Sequence, residues 1–201
     1  RASRKIAKPP RSTRTKISVQ TGTSHGGIPL PDGRVADVKL DFPTLEALSR
    51  VAQGEFGLAG AVQHGASTLP EECFDQFPTR TACEIHLATG FQNLIYAHPA
   101  FPKELLARID EHLRAASKDE RKPDETDEQF IYKTRKKAFG PFKREMWDLP
   151  AAARNAITAD LQARFELLMG KLGVSGTRAI VDRHVRPAIV EAGDTPAGLA
   201  G

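Results

Sequence analysis

The first half of the sequence repeats one pattern three times: a short β-type run is followed by a loop of small residues and then by a helix-like segment. The β-type runs are 17–20, 57–63 and 82–88. Strands that alternate with helices in this way form parallel sheets joined by crossover helices. We therefore predict an α/β fold.

The chain of 201 residues is long enough for one sizeable core. It divides into four parts by composition and pattern. These are a basic connector (1–16), the three strand–helix units (17–100), a helical region (101–173) and a tail whose structure the pattern leaves open (174–201).

Helices are predicted where apolar residues recur at helical spacing. The predicted helices are 43–52, 70–77, 101–116 and 151–172. The highly charged segment 118–127 is predicted to be an exposed loop. Segment 130–147 is compatible with helix or irregular structure, and 177–181 with a strand or a helix.

Composition excludes several classes of protein. No apolar run approaches the roughly 20 residues that cross a bilayer, so no membrane partner is expected. Two cysteines, Cys73 and Cys83, make no disulfide framework, which favours the cytoplasm. The basic N-terminus precedes any acidic residue, but no aromatic residue interleaves with its charges to stack on bases. We favour a solvated connector there over a nucleic-acid-binding arm.

Two histidines occupy equivalent places in the pattern. His25 and His64 each follow a predicted strand, and each is followed by glycine. Ligands of parallel α/β folds bind at the carboxyl ends of the strands. Two imidazoles there could share a zinc ion, and glycine N–H groups could approach a phosphate closely. Either histidine alone would more often be an ordinary hydrogen-bonding residue, but the repetition favours a site.

Five motifs in this order carry a family resemblance: GTSHG (22–26), KLDFPTL (39–45), QHGAS (63–67), PEE (70–72) and EIHLAT (84–89). They resemble the class II fructose-bisphosphate aldolases, which are metal-dependent (β/α)8 barrels. The resemblance implies that the chain is the C-terminal portion of such a TIM barrel, with strands six to eight and the helices after them. It implies an aldehyde-lyase that cleaves a ketose bisphosphate, reversibly, into dihydroxyacetone phosphate and an aldehyde.

The resemblance also assigns roles to single residues. His25 and His64 correspond to metal ligands, with Zn²⁺ as the expected ion and another divalent metal as an alternative. The positions that correspond to phosphate-binding residues are Gly26, Gly65, Ser67 and Thr89. Family members are commonly oligomers of identical subunits, so a homo-oligomer is expected, with a phosphorylated ketose as its substrate.

Two positions depart from the family pattern. His86 stands where the family has an Asn that contacts the substrate, and Gly90 stands where an acidic residue is common. Strand alternation still turns His86 toward the barrel axis, together with Glu84. His86 could contact a different substrate, supply an extra metal ligand or mark a subfamily with altered activity.

A larger departure is length, since a complete barrel takes about 250 residues. The family's catalytic Asp and a further metal-binding His lie on an earlier strand, which this sequence does not contain. The chain alone is therefore expected to be inactive. The alternatives are a non-catalytic phosphosugar-binding relative, another ketose-bisphosphate aldolase such as a tagatose-bisphosphate aldolase, and a nucleic-acid-binding protein that uses the basic N-terminus.

Overall fold

A computed structural model describes residues 15–24, 26–31 and 34–186 of the chain. Within them, three strands form one parallel sheet in the order β1-β2-β3. The strands are β1 (Ile17–Val19), β2 (Ala61–Gln63) and β3 (Glu84–Ile85). The predicted strands are thus present and parallel, but each is shorter than the sequence pattern indicates. Most of the predicted connector (1–14) and the end of the tail (187–201) lie outside the described residues.

The rest of the described chain is mostly helical. Its α-helices are α1 (Phe42–Phe56), α2 (Gln76–Thr79), α3 (Thr89–Ala97), α4 (Lys103–Ala116), α5 (Asp127–Thr134), α6 (Lys143–Trp147), α7 (Ala151–Lys171) and α8 (Arg178–His184). Short 3₁₀ helices span Ala66–Thr68, Glu71–Cys73, Lys118–Glu120 and Arg135–Phe139. Both segments that the sequence left open, 130–147 and 177–181, are therefore mainly helical.

Glycines shorten the second strand. Gly57 and Gly60 have φ angles of 65° and 139°, outside the extended region, so the strand begins only at Ala61. Segment 70–77 was predicted as one helix, but it forms a 3₁₀ turn and then the single-turn helix α2. The prediction of one continuous helix was therefore wrong.

Helix α1 shows why its sequence begins a helix at this place. The Asp41 side chain accepts a hydrogen bond from the Thr44 N–H at 3.0 Å, which caps the first turn. The buried face consists of Leu45, Ser49 and Ala52. Helical spacing of the apolar residues would place Val51 on that face as well, but Val51 is 43% exposed. Helix α1 therefore turns a small, partly polar stripe toward β2.

Two apolar clusters hold the structure together. One lies beside the sheet and is formed by Leu45, Ala61, Ala66, Leu69, Phe74, Phe77 and Leu168. The other lies among the later helices and is formed by Tyr96, Phe101, Leu105, Ile109, Leu113, Ala138, Phe142 and Ile157. Helix α7 contributes Ile157 to the second cluster and Leu168 to the first, so it connects them.

The predicted apolar stripe of α7 is confirmed in part. Ile157 and Leu168 are buried, whereas Phe165 is 45% exposed. The Phe165 ring stacks on Phe91 of α3, with ring centroids 4.5 Å apart. Both cysteines are free, and Cys83 is exposed. No helix in the described part of the chain has the length and apolar character needed to cross a membrane.

Candidate functional site

The parallel ladder places His64 and His86 beside each other. Val62 pairs with Glu84 and Gln63 with Ile85, so the next residue of each strand continues the same register. The His64 N–H donates to the carbonyl oxygen of Val19, and the His86 N–H donates to that of Gln63, both at 3.0 Å. The two histidines are therefore fixed by backbone bonds at the carboxyl ends of β2 and β3.

Their side chains lie on the same face of the sheet and are in contact. The ring centroids of His64 and His86 are 4.3 Å apart, and the ring planes are tilted by 60°. The sequence predicted that His86 would share its face with Glu84, and a Glu84 carboxylate oxygen does contact the His86 Nε2. Ile85 and Leu87 pack instead against the cluster beside the sheet.

Glu84 belongs to a chain of charged groups. Its other carboxylate oxygen pairs with the Lys16 ammonium group. The hydrogen bond from Lys16, followed by the one with His86, lowers the pKa of Glu84 below its ordinary value. The carboxylate is therefore ionised at neutral pH, and it stands on the side of the His86 ring that carries Nε2.

A buried glutamine positions the loop after β1. Gln63 is fully buried, and its amide oxygen accepts a hydrogen bond from the Thr21 hydroxyl at 2.9 Å. Its amide nitrogen donates to the Thr23 hydroxyl at 3.0 Å and to the His64 carbonyl oxygen at 2.7 Å. Gln63 was not among the predicted site residues, although a polar residue at the end of an otherwise apolar strand is a signal for such a role.

The residues predicted to bind phosphate lie around the same strand ends. Gly65 has a φ of 70°, and a Cβ there would meet the Thr23 hydroxyl oxygen at 2.8 Å. A Cβ at Gly26 would lie 3.6 Å from the Thr89 hydroxyl oxygen. Ser67 is held in place because its hydroxyl oxygen accepts a bond from the Ala88 N–H at 2.7 Å.

The structure gives a reason for glycine at position 90. A Cβ there would lie 2.6 Å from the Ser67 carbonyl oxygen, much closer than real Cβ contacts allow. The second residue of α3 therefore packs directly against the 3₁₀ turn that carries Ser67. The acidic residue that the family pattern has at this position would not fit.

Helix α5 forms the opposite wall of the site. The Tyr132 hydroxyl donates to the Gly26 carbonyl oxygen at 2.7 Å and accepts from the Asn93 amide at 3.1 Å. The Gln129 amide donates to the Pro29 carbonyl oxygen at 2.7 Å. Residues from the helical region thus hold the loop after β1, a contact that no local sequence pattern predicts.

A cavity of about 1160 Å³ lies between the strand ends and α5. Among its lining residues are Gly26, His64, Gly65, Ser67, His86 and Thr89. Three lysines also line it, Lys122, Lys133 and Lys136. Lys133 pairs with Glu125 at 2.7 Å, whereas Lys136 makes no ion pair within the described residues. The cavity therefore offers imidazole nitrogens, hydroxyl groups and lysine ammonium groups.

The structure thus brings together six of the seven predicted site residues, and the seventh, His25, lies outside the described residues. Within the described ranges, no three side chains of His, Cys, Asp or Glu are arranged as a metal site. The adjacent imidazoles of His64 and His86 still suit a borderline ion such as zinc, which favours nitrogen ligands.

A scan against protein-family models and searches of curated proteins and of solved structures found no match for this chain. The interpretation of the site therefore depends on its own residues and on the motifs in the sequence.

Proposed function

We propose that this chain forms the metal- and phosphate-binding side of a class II aldolase-like aldehyde-lyase. Its substrate is a ketose bisphosphate, which is cleaved reversibly to dihydroxyacetone phosphate and an aldehyde. One observation carries the proposal. The ring centroids of His64 and His86 lie 4.3 Å apart at parallel strand ends, in a cavity that Ser67 and Thr89 also line. An ion and a phosphorylated sugar are the pair of ligands that such residues suit.

The phosphate has a suitable place at the start of α3. This helix of nine residues begins at Thr89, and the positive end of its dipole favours an anion. The Ser67 hydroxyl oxygen already accepts the Ala88 N–H, so its own proton can be donated to a phosphate oxygen. Gly26 lies beside the Thr89 hydroxyl and, without a Cβ, leaves its backbone open to a ligand, whereas Gly65 allows close packing of the loop after β1.

The metal would be held by His64, together with His25 as the motif resemblance implies. When bound, zinc polarises the ketose carbonyl and stabilises the negative charge that develops on cleavage. His86 faces the same ligand, at the position of the family's substrate-contacting Asn. The protein's own contribution is to fix these groups through the sheet and the Gln63 network.

Turnover also needs a general base, which the family places on an earlier strand. As the motif resemblance implies, we propose that these 201 residues bind metal and ligand but do not turn the substrate over by themselves. The wider setting that we propose is strands six to eight of a (β/α)8 barrel, in a cytoplasmic homo-oligomer.

The test compares cleavage with binding. We expect the 201-residue chain with zinc to bind dihydroxyacetone phosphate in a saturable way that EDTA abolishes, without cleaving fructose 1,6-bisphosphate. The matched variants are Ser67→Ala at the phosphate and Ser117→Ala, a buried serine far along the chain on the C-terminal side of α4. Loss of binding only in the first supports the proposal, and equal binding in both contradicts it. Cleavage at a normal rate would overturn the proposal of an incomplete site.

A second candidate is a phosphosugar-binding relative without catalysis. It is favoured by His86 in place of Asn, since this change removes a substrate-contacting amide. Such a protein would bind dihydroxyacetone phosphate equally well with zinc and with EDTA. The metal dependence of binding therefore separates the two functions.

A further inference from the structure

We propose that His86 binds the same divalent metal ion as His64 and that Glu84 orients the His86 ring through its Nε2. This inference depends on the proposed function, because it concerns the metal ion of the same site. It assigns the residue that departs from the family pattern a direct role in holding the ion.

The backbone makes such a pair possible without rearrangement. His64 and His86 occupy the positions that directly follow the paired residues of β2 and β3, and backbone hydrogen bonds of 3.0 Å hold both. Side chains at matching positions of neighbouring strands project from the same face of the sheet. The sheet therefore places the two side chains next to each other.

The two rings are close enough to share one ion. Zinc binds imidazole nitrogen at roughly 2.0–2.1 Å, so two rings that hold the same ion must lie within a few ångströms of each other. The two rings have centroids 4.3 Å apart and are tilted by 60°. They are neither stacked in parallel nor separated by other side chains.

Glu84 contacts one ring nitrogen of His86 and leaves the other for an ion. Metal-binding histidines usually donate their other ring N–H to a carboxylate, which fixes the ring and its tautomer. Here the carboxylate contacts Nε2, so Nδ1 is the nitrogen left for an ion. Lys16 holds the Glu84 carboxylate from its other side. Lys16 thus contacts Glu84, Glu84 contacts His86, and His86 is left to bind the metal ion.

The remaining coordination positions suit a ligand. The described residues offer no third metal-binding side chain in place beside this pair. Catalytic metal sites keep at least one position for water or for a substrate oxygen. The cavity of about 1160 Å³ at these rings provides the space for one.

The experiment measures metal affinity directly, with Co²⁺ as a coloured probe and with Zn²⁺ in competition against a chelator. The variants are His86→Asn, which installs the family residue, His64→Asn, Glu84→Gln and the control His184→Asn on the exposed helix α8. His86→Asn should fold, since the side chain is 51% exposed. Circular dichroism and thermal unfolding check this for every variant.

We expect His86→Asn to weaken metal binding at least as much as the roughly 10- to 100-fold that loss of a second-shell partner costs. It should also change the intensity of the Co²⁺ visible bands, because a nitrogen ligand is lost. Glu84→Gln should weaken binding less and leave the bands in place, and His184→Asn should change neither.

Two results would overturn the inference, and they differ in what else they affect. If His64→Asn abolishes metal binding while His86→Asn matches the wild type, His86 is no ligand, and the proposed function stands. If the wild-type chain binds neither ion, both this inference and the metal-dependent function fail.

Discussion

The hydroxyl group of Tyr132 donates a hydrogen bond of 2.7 Å to the carbonyl oxygen of Gly26, a residue 106 positions earlier in the chain. This bond connects helix α5 to the loop that follows β1. Because the same hydroxyl accepts a bond from Asn93, it also joins α3 to this contact. One side chain thus ties three parts of the cavity wall together.

Replacing Tyr132 by Phe should weaken ligand binding. The change removes two hydrogen bonds and frees the loop beside the cavity, so we expect an affinity for dihydroxyacetone phosphate about two- to tenfold lower. Titration calorimetry in the presence of zinc measures this. Tyr96→Phe is the matched control, since its hydroxyl bonds the Arg135 carbonyl oxygen at 3.2 Å within the helical region. Equal affinities for the two variants would contradict the role given to Tyr132.

Replacing Gln63 by Leu should destabilise the protein. Leucine would leave the buried Thr21 hydroxyl without its acceptor and would remove two more bonds to the loop. We expect the free energy of unfolding to fall by about 2–4 kcal/mol. Urea unfolding measures it, with Gln53→Leu as the control, because the exposed Gln53 makes one bond to the Ala59 carbonyl oxygen. A loss no larger than that of the control would count against the network.

Two glycine replacements should have opposite signs. Gly90→Ala places a methyl group 2.6 Å from the Ser67 carbonyl oxygen, so the free energy of unfolding should fall by about 1–3 kcal/mol. Gly170→Ala meets nothing within 4 Å inside α7 and should raise it by about 0.5–1 kcal/mol. Thermal unfolding of both variants tests the pair. A stable Gly90→Ala protein would show that α3 and the 3₁₀ turn are not packed as described.

The cap of α1 should make stability depend on pH. Hydrogen bonds from the Thr44 N–H and then from its hydroxyl lower the pKa of Asp41. A pKa lower in the folded state means stabilisation that is fully present above the unfolded value, about 3.9, and lost as pH falls through the folded value. Asp41→Asn keeps a helix cap without a charge. The difference in free energy of unfolding between this variant and the wild type should therefore disappear at low pH. A gap that is the same at pH 7 and pH 2 would contradict this.

The sequence predicted the parts of the fold that depend on local pattern. Short β-type runs before small-residue loops gave the three strands, and apolar spacing gave α4, where Leu105, Ile109 and Leu113 are all buried. The sequence pattern predicts burial less well where contacts between residues far apart in the chain decide the packing. Ser49 is buried in α1 because its hydroxyl donates to the Thr81 carbonyl oxygen and accepts the Ala61 N–H, and neither partner is near it in sequence.

The residues of the candidate site were likewise predictable only in part. Motifs at strand ends predict His64, Ser67, His86 and Thr89. The strand register brings the two histidines together, and the short turn or helix after each strand carries Ser67 and Thr89 to the same cavity. Tyr132 and Gln129 were not found, because α5 reaches the loop after β1 only through tertiary packing. Segment 130–147 mixes aromatic and charged residues, so the spacing of its apolar residues does not indicate which helix face lines the cavity.

A calorimetric titration of dihydroxyacetone phosphate into the zinc-loaded chain, repeated after EDTA treatment and with His64→Ala, tests whether the strand-end histidines form this site. We expect binding of one ligand per chain that needs the metal and is lost in the variant. Binding that is unchanged by EDTA and by the loss of this imidazole, or no binding at all, would show that the strand-end histidines do not form a metal-dependent sugar phosphate site.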